Sequence, residues 1–150
     1  MKVKEICTRQ VVAMEDDGTV LDCARLMRAH HVGDVVVLRA PDGHPIGIIT
    51  DRDIVVGAVA LGVQDLGTIL ARDLLSRDLV TVREDDDVFS AMEVMWPHGI
   101  RRVPVLDAAG KLAGILTYDD LVHRLSEHLA DLTRTVKRQV EREKSLRVGT

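Results

Sequence analysis

The chain has 150 residues, of which 46% are hydrophobic and 29% charged, and its formal net charge is −4. This apolar content excludes a disordered polymer, and the longest nearly apolar run, Ile54 to Val63, is too short for the roughly 20 residues of a membrane-spanning helix. The net negative charge and the presence of only one Phe, one Trp and one Tyr argue against a nucleic-acid partner.

The first part of the chain predicts the order turn, strand, helix, hairpin, helix. The first helix has apolar residues at helical spacing from Val20 to Met27, and Thr19 with Asp22 forms a capping box at its start. The other predicted elements are a helical turn at Val3–Cys7, a strand at Val11-Val12, a hairpin of Val35–Leu38 with Ile46–Ile49, and a helix from Thr50 through Leu61.

The same order is repeated after a shift of 68 residues, which becomes 67 beyond the hairpin turn. Val20 then aligns with Val88 and Met27 with Met95, while Gly47 aligns with Gly114. The repeated elements are a turn at Ala71–Leu75, a strand at Leu79–Val82, a helix from the Asp87 cap to Met95, a hairpin of Val103–Leu106 with Leu112–Leu116, and a helix from Thr117 through Leu129. A shared pattern in which only the length of one turn differs, by one residue, indicates duplication of a structural unit.

Each unit of about 60 residues would be only marginally stable alone. We therefore expect an α/β (α+β) fold in which two copies pack sheet to sheet around one pseudo-symmetric core. The predicted division is a first repeat at 1–66, a second at 67–130 and a C-terminal helical tail at 131–150.

Two closing motifs and one strand resemble those of a known family. The pattern Gly-h-h-Thr-x-x-Asp, where h is apolar, occurs at Gly47–Asp53 and again at Gly114–Asp120. Arg101-Arg102-Val103-Pro104-Val105 resembles the basic-x-Pro-Val strand of the same family. The chain thus resembles a stand-alone tandem pair of CBS domains, named after cystathionine β-synthase, with two β-α-β-β-α repeats.

The resemblance implies a non-catalytic regulatory module that binds AMP, ADP, ATP, NAD(H) or S-adenosylmethionine and passes its state to a partner protein. It also implies a homodimer shaped as a flat disc. By position in the motif, Thr50 and Thr117 would contact phosphate, and Asp53 and Asp120 the ribose hydroxyls. The strands containing Val12 and Val80 would supply an adenine slot.

The two copies differ in their basic residues. Arg101 and Arg102 precede the second hairpin, and a guanidinium is a preferred phosphate partner. Asp34 aligns with Arg102 and would repel a phosphate, although Arg52 is a further candidate in the first copy. We expect at most one good nucleotide site, in either half. The alternative is that these arginines pair with the acidic run at 84–87.

A second interpretation of the motifs stays open. Thr50 with Asp53, and Thr117 with Asp120, are also plain capping boxes, which need no ligand. The chain would then be a constitutive dimeric scaffold with empty clefts. Asp120→Asn distinguishes the two hypotheses, because Asn still caps a helix in part but loses charge-assisted acceptance from ribose.

No other motif predicts catalysis, a metal or an obligatory cofactor. His123 and His128 are five residues apart, which does not match a zinc-binding helix, and the chain has neither a Gly-x-Ser-x-Gly elbow nor a phosphate-binding Walker loop. Cys7 and Cys23 lack metal-binding spacing and are expected to be structural thiols. With the charged opening segment Met1–Glu5, which predicts no secretory leader, they indicate a cytoplasmic protein.

The tail repeats apolar residues at steps of four, three, four and four. This spacing resembles the a/d seam of a coiled coil. We expect the tail to continue the last helix and to pack across a dimer, onto a partner or against its own module. The seam residues are Leu125, Leu129, Leu132, Val136 and Val140.

Overall fold

A computed structural model of the chain describes residues 1–75 and 78–147. Its strands are β1 (Ala13–Glu15), β2 (Asp34–Arg39), β3 (His44–Thr50), β4 (Val82–Arg83), β5 (Arg102–Leu106) and β6 (Leu112–Thr117). Its helices are α1 (Val20–His30), α2 (Asp51–Ile54), α3 (Val88–Met95) and α4 (Tyr118–Arg147). Single 3-10 turns occur at Val3–Glu5, Leu66–Thr68 and Ala71–Leu74. The predicted order of elements, repeated twice, is confirmed.

The six strands form two sheets with the same topology. In each sheet the central strand pairs in parallel with the first strand and antiparallel with the third, in the orders β1-β2-β3 and β4-β5-β6. Asp34 lies opposite Thr50 in the first sheet, and Arg102 lies opposite Thr117 in the second. The two copies therefore place their closing-motif threonines at matching positions.

Two strands and one helix differ from their predicted ranges. The first strand of each copy starts later than expected, at Ala13 and Val82, because only from those residues does the parallel ladder with the central strand begin. The apolar helix expected through Leu61 is regular only to Ile54. It continues as a π-helical turn at Val55–Val59, where the Ala60 N–H donates to the Val55 carbonyl five residues back at 2.8 Å.

The buried residues form two clusters, one on each sheet, so the expectation of a single shared core is wrong. The first cluster joins α1 to β2 and β3, and the second joins α3 to β5 and β6. Side chains alternate between the faces of a strand. Val35 and Val37 enter the first cluster, yet Val36 on the other face is also buried. Each sheet is thus covered on both faces, as sheet-to-sheet packing requires.

The leading turn of each copy packs on the other copy. Val3 belongs to the second cluster, and its N–H donates to the Asp86 carbonyl at 3.0 Å. Ala71 belongs to the first cluster, and its N–H donates to the Gly18 carbonyl at 2.8 Å. This exchange ties the two copies into one structure.

The final helix, α4, is one continuous element of 30 residues that includes most of the predicted tail; residues 148–150 of that tail lie outside the described part of the chain. Leu121 is buried in the second cluster, but every side chain from Ser126 to Leu146 is exposed. The alternative that the tail docks against its own module is therefore wrong. Within the described residues, no helix has the length and apolar character needed to cross a membrane.

Candidate nucleotide-binding cleft

A cleft of about 840 Å³ lies between the two copies. This volume falls in the range of roughly 300–1,000 Å³ that is typical of small-molecule sites. A smaller depression of about 450 Å³ on α1 contains none of the predicted site residues. Residues from three segments line the cleft, namely Gly47, Ile48, Thr50, Asp51, Arg52 and Asp53, then Leu74, Leu75, Asp78, Leu79 and Val80, and finally His98, Gly99, Ile100, Arg101 and Arg102.

The start of α2 contributes the polar side chains of the first copy. Thr50 is the N-cap residue, and its Oγ accepts from the Asp53 N–H at 3.2 Å. In return, Oδ2 of Asp53 accepts from the Thr50 N–H and from its hydroxyl, both at 2.8 Å. Among the described residues, Oδ1 of Asp53 has no hydrogen-bond donor. The capping box thus uses one carboxylate oxygen of Asp53, a residue that also lines the cleft.

The second copy contributes two arginines. Nη1 of Arg102 lies 2.7 Å from Oδ2 of Asp34, and this pair is partly buried. Nη2 of Arg101 lies 3.3 Å from Oδ1 of Asp119, and both side chains are largely exposed. The acidic run at 84–87 pairs elsewhere: Glu84 contacts Arg9 and Asp85 contacts Lys4. The alternative in which the arginines pair with this run is therefore wrong.

Asp34 has a partner in the other copy that the sequence did not predict. The sequence predicts that its carboxylate would repel a phosphate in the first copy. In the structure this carboxylate is a partner of Arg102, which lines the cleft with Thr50. Arg52 also lines the cleft, and its own N–H donates to Oδ1 of Asp51 at 2.8 Å.

The apolar wall comes mainly from the second copy. Leu79 and Val80 lead into β4, and Ile100 precedes β5. Val12, which the sequence pairs with Val80 as an adenine contact, packs against the first hydrophobic cluster and does not line this cleft. The prediction that Val12 contacts adenine therefore does not apply to the observed cleft.

Thr117 and Asp120 repeat the capping geometry but do not line the cleft. Oδ2 of Asp120 accepts from the Thr117 hydroxyl at 2.7 Å, and the Asp120 N–H donates to the Thr117 Oγ at 3.1 Å. Nearby, Thr8 and Ile115 exchange two backbone hydrogen bonds of 2.9 Å. The structure therefore groups the predicted residues of one motif, Thr50, Arg52 and Asp53, with Val80, Arg101 and Arg102.

Several residues of the cleft lie outside the set predicted from the sequence. Ile100 precedes Arg101, and Asp78 precedes the Leu79-Val80 pair. Both could have been predicted from these neighbours, which were expected at the site. His98 also lines the cleft, and its Nδ1 lies 2.8 Å from the Val94 carbonyl. No sequence pattern points to His98, because its place depends on how α3 ends.

Cys7 and Cys23 are free thiols, and burial raises the pKa of Cys23 to about 11. A thiol with this pKa is a poor nucleophile near neutral pH. Across residues 1–75 and 78–147, no three His, Cys, Asp or Glu side chains are arranged to hold a metal ion.

Comparison with curated proteins finds relatives along most of the chain. An uncharacterized protein of Methanopyrus kandleri is 39% identical over 81% of this chain, and the match spans 61% of that protein's length. A CBS domain-containing protein of Bacillus subtilis is 33% identical, with 85% of this chain and 89% of the relative covered.

Solved structures and a family model agree with these relatives. The solved structure of a CBS domain protein from Pyrobaculum aerophilum complexed with AMP has a TM-score of 0.72 and 30% identity, covering 81% of this chain and 90% of that one. The sequence model of the CBS domain matches residues 3–58 and again 71–127. With two matched segments on two equivalent sheets, the chain belongs to the CBS domain family as a tandem pair.

Proposed function

We propose that this chain is a non-catalytic regulatory module that binds an adenosine-containing ligand in the cleft between its copies. The observation that carries the proposal is the meeting of Thr50 and Asp53 with Arg101 and Arg102 around one cavity. The candidates are AMP, ADP, ATP, NAD(H) and S-adenosylmethionine. The AMP complex of the Pyrobaculum aerophilum relative supports an adenine nucleotide.

The cleft has a suitable group for each part of such a ligand. The free oxygen of Asp53 can accept from ribose hydroxyls, and Leu79, Val80 and Ile100 can contact an adenine ring. Arg101 and Arg102 can donate to a phosphate, and Arg52 adds a third cation. Ligand contacts of Thr117 and Asp120 would require a second site in the other copy, and we expect this cleft to be the one good site.

Regulation then requires that ligand binding change how the module contacts another protein. We infer that the regulatory unit is a homodimer. Apolar side chains available for such contacts remain exposed on the body of the protein, meaning the two copies without the tail at 131–150. They include Val55, Val56 and Val59 on the π-helical turn and Val122 on α4. A ligand that joins both copies through one cleft can shift their relative positions and hence these surfaces.

A constitutive scaffold is the second candidate function. The observation in its favour is that both capping boxes complete their hydrogen bonds within the chain. In that case the Thr and Asp residues serve only to start α2 and α4. The two functions differ in whether the carboxylate of Asp53 contributes to ligand binding.

Calorimetry on nucleotide-stripped protein tests the proposal, with AMP, ADP, ATP, NADH and S-adenosylmethionine as ligands. We expect at least one to bind, and Asp53→Asn to weaken that binding by about tenfold or more, since hydrogen bonds to charged groups contribute roughly 1.5–3 kcal/mol. The substitution should leave the melting temperature nearly unchanged, because Asn can retain the acceptor that caps α2.

Asp120→Asn is the matched control. Its capping geometry is the same, but Asp120 does not line the cleft, so binding there should persist. Absence of binding by every ligand would favour the scaffold. Loss of binding in Asp120→Asn with full binding in Asp53→Asn would move the site to the other copy.

A further inference from the structure

From Leu129 onward, α4 presents an apolar strip that no other part of the described chain covers. At 1.5 Å per residue, the 30-residue helix is about 45 Å long. Leu129, Leu132, Val136 and Val140 are between 44% and 65% exposed. With 100° per residue, they and the half-buried Leu125 occupy a strip about 80° wide. This strip has the width of a helix-pairing seam.

A single exposed helix of this kind is only marginally stable in water. Arg124 contacts Glu127 at 2.9 Å, and Asp131 contacts Arg134 at 3.1 Å, but these exposed pairs stabilise a helix little. Pairing of the apolar strip with a second helix would remove its side chains from water and thereby stabilise the extended segment.

The strip is symmetric about a point between Leu132 and Thr133. Leu125 and Val140 are equally distant from that point along the helix, as are Leu129 and Val136. Two copies of α4 that run in opposite directions would therefore bring Leu125 level with Val140 and Leu129 level with Val136. The paired strip from Leu125 to Val140 would be about 23 Å long.

Charge selects the antiparallel orientation over the parallel one. Residues 118–132 contain four carboxylates and one arginine, whereas residues 133–146 contain five basic side chains and two glutamates. A parallel pair would place the two basic halves side by side, where they repel each other. It would also bring Glu143 of one copy near Glu143 of the other. An antiparallel pair places each acidic half beside a basic half, which is favoured by long-range attraction.

We propose that the α4 strip binds the same strip of a second copy of this chain in the antiparallel orientation. This contact lies outside the nucleotide cleft and does not depend on the proposed ligand. It joins copies through their C-terminal helices and is therefore separate from any contact through the exposed residues of the body.

Disulfide cross-linking of the full chain tests the orientation. The variants Leu129→Cys and Val136→Cys are first oxidised separately and then oxidised as a mixture. In the mixture the two chains differ in size, so that a cross-link between the variants can be recognised. The antiparallel pair predicts cross-links between the two variants in the mixture and almost none in either alone, because identical positions would be offset by about 10 Å along the axis. Wild type gives the background from Cys7 and Cys23, and Arg134→Cys on the opposite helix face is the matched control.

Sedimentation supplies an independent measurement. Leu132→Glu places two carboxylates at the centre of the pair, so association through the tail should weaken at least tenfold. Ala130→Glu adds the same charge off the strip and should associate as the wild type does. Cross-linking of Leu129→Cys with itself would establish a parallel pair. Absence of cross-links in the mixture, or equal association of the two glutamate variants, would also overturn the proposal and leave the strip to another protein.

Discussion

At the residue scale, the ion pair of Asp34 with Arg102 joins equivalent positions of the two copies. They are 68 residues apart, which is the repeat offset, and Nη1 of Arg102 lies 2.7 Å from Oδ2 of Asp34. Equivalent residues can meet in this way only near the pseudo-twofold axis. The pair also holds the guanidinium that we propose as a phosphate donor, so Asp34 competes with an anionic ligand for Arg102.

Asp34→Asn should therefore tighten the binding of AMP by roughly three- to tenfold, which corresponds to about 0.7–1.4 kcal/mol. The reason is that removal of the carboxylate leaves the charge of Arg102 available to phosphate. Calorimetry with adenosine, which has no phosphate, is the control and should show little change. Asp119→Asn releases the more exposed Arg101 and should have a smaller effect. Equal changes for AMP and adenosine would contradict this role of Asp34.

At the element scale, the third strand of each sheet contains a glycine that lies close to another segment. A Cβ on Gly114 in β6 would stand 2.8 Å from the carbonyl oxygen of Thr8 and 3.1 Å from the sulfur of Cys7. A Cβ on Gly47 in β3 would instead collide with the methyl ends of the Leu75 side chain. Backbone cannot move aside as readily as a side-chain end.

Gly114→Ala should therefore lower the free energy of unfolding by about 1–3 kcal/mol, the usual cost of overpacking. Gly47→Ala, at the equivalent position, should cost less because Leu75 can change its rotamer. Urea denaturation of both variants measures the difference. A larger loss in Gly47→Ala than in Gly114→Ala would show that the Thr8 segment yields more easily than Leu75.

At the scale of the whole molecule, the exchanged leading turns make the two copies interdependent. Val3 is fully buried in the second cluster, although the sequence assigns it to the first repeat. The division at 1–66, 67–130 and 131–150 remains a prediction about sequence repeats. The hydrophobic clusters follow different boundaries, because each takes a turn from outside its own repeat.

Val3→Ala should destabilise the whole protein by about 1–3 kcal/mol, because it removes buried methyl groups from the second cluster. The loss should appear in a single cooperative unfolding transition. Gln10→Ala, an exposed position in the same opening segment, should change stability by less than about 0.5 kcal/mol. An effect of Val3→Ala no larger than that of Gln10→Ala would argue against the exchange.

Local features of this fold were predictable because their causes lie within a few residues. Thr19 and Asp87 start α1 and α3 as expected, since an N-cap needs only its own side chain and the next turn of backbone. The duplicated Gly-h-h-Thr-x-x-Asp pattern likewise indicated both hairpin-to-helix junctions. The π-helical turn at Val55–Val59 was missed, because an apolar run has the same composition in either helix type.

Local spacing was enough to predict the order of elements, their duplication, the capping boxes and the family resemblance. The folded chain was needed to show that Thr50 and Asp53 share a cleft with Arg101 and Arg102, while Val12 packs against a hydrophobic cluster. It alone revealed that Asp34 pairs with Arg102 and that Val3 serves the opposite copy. These pairs are 48 to 83 positions apart in the sequence, and only the packing of one sheet on the other brings such distant residues together.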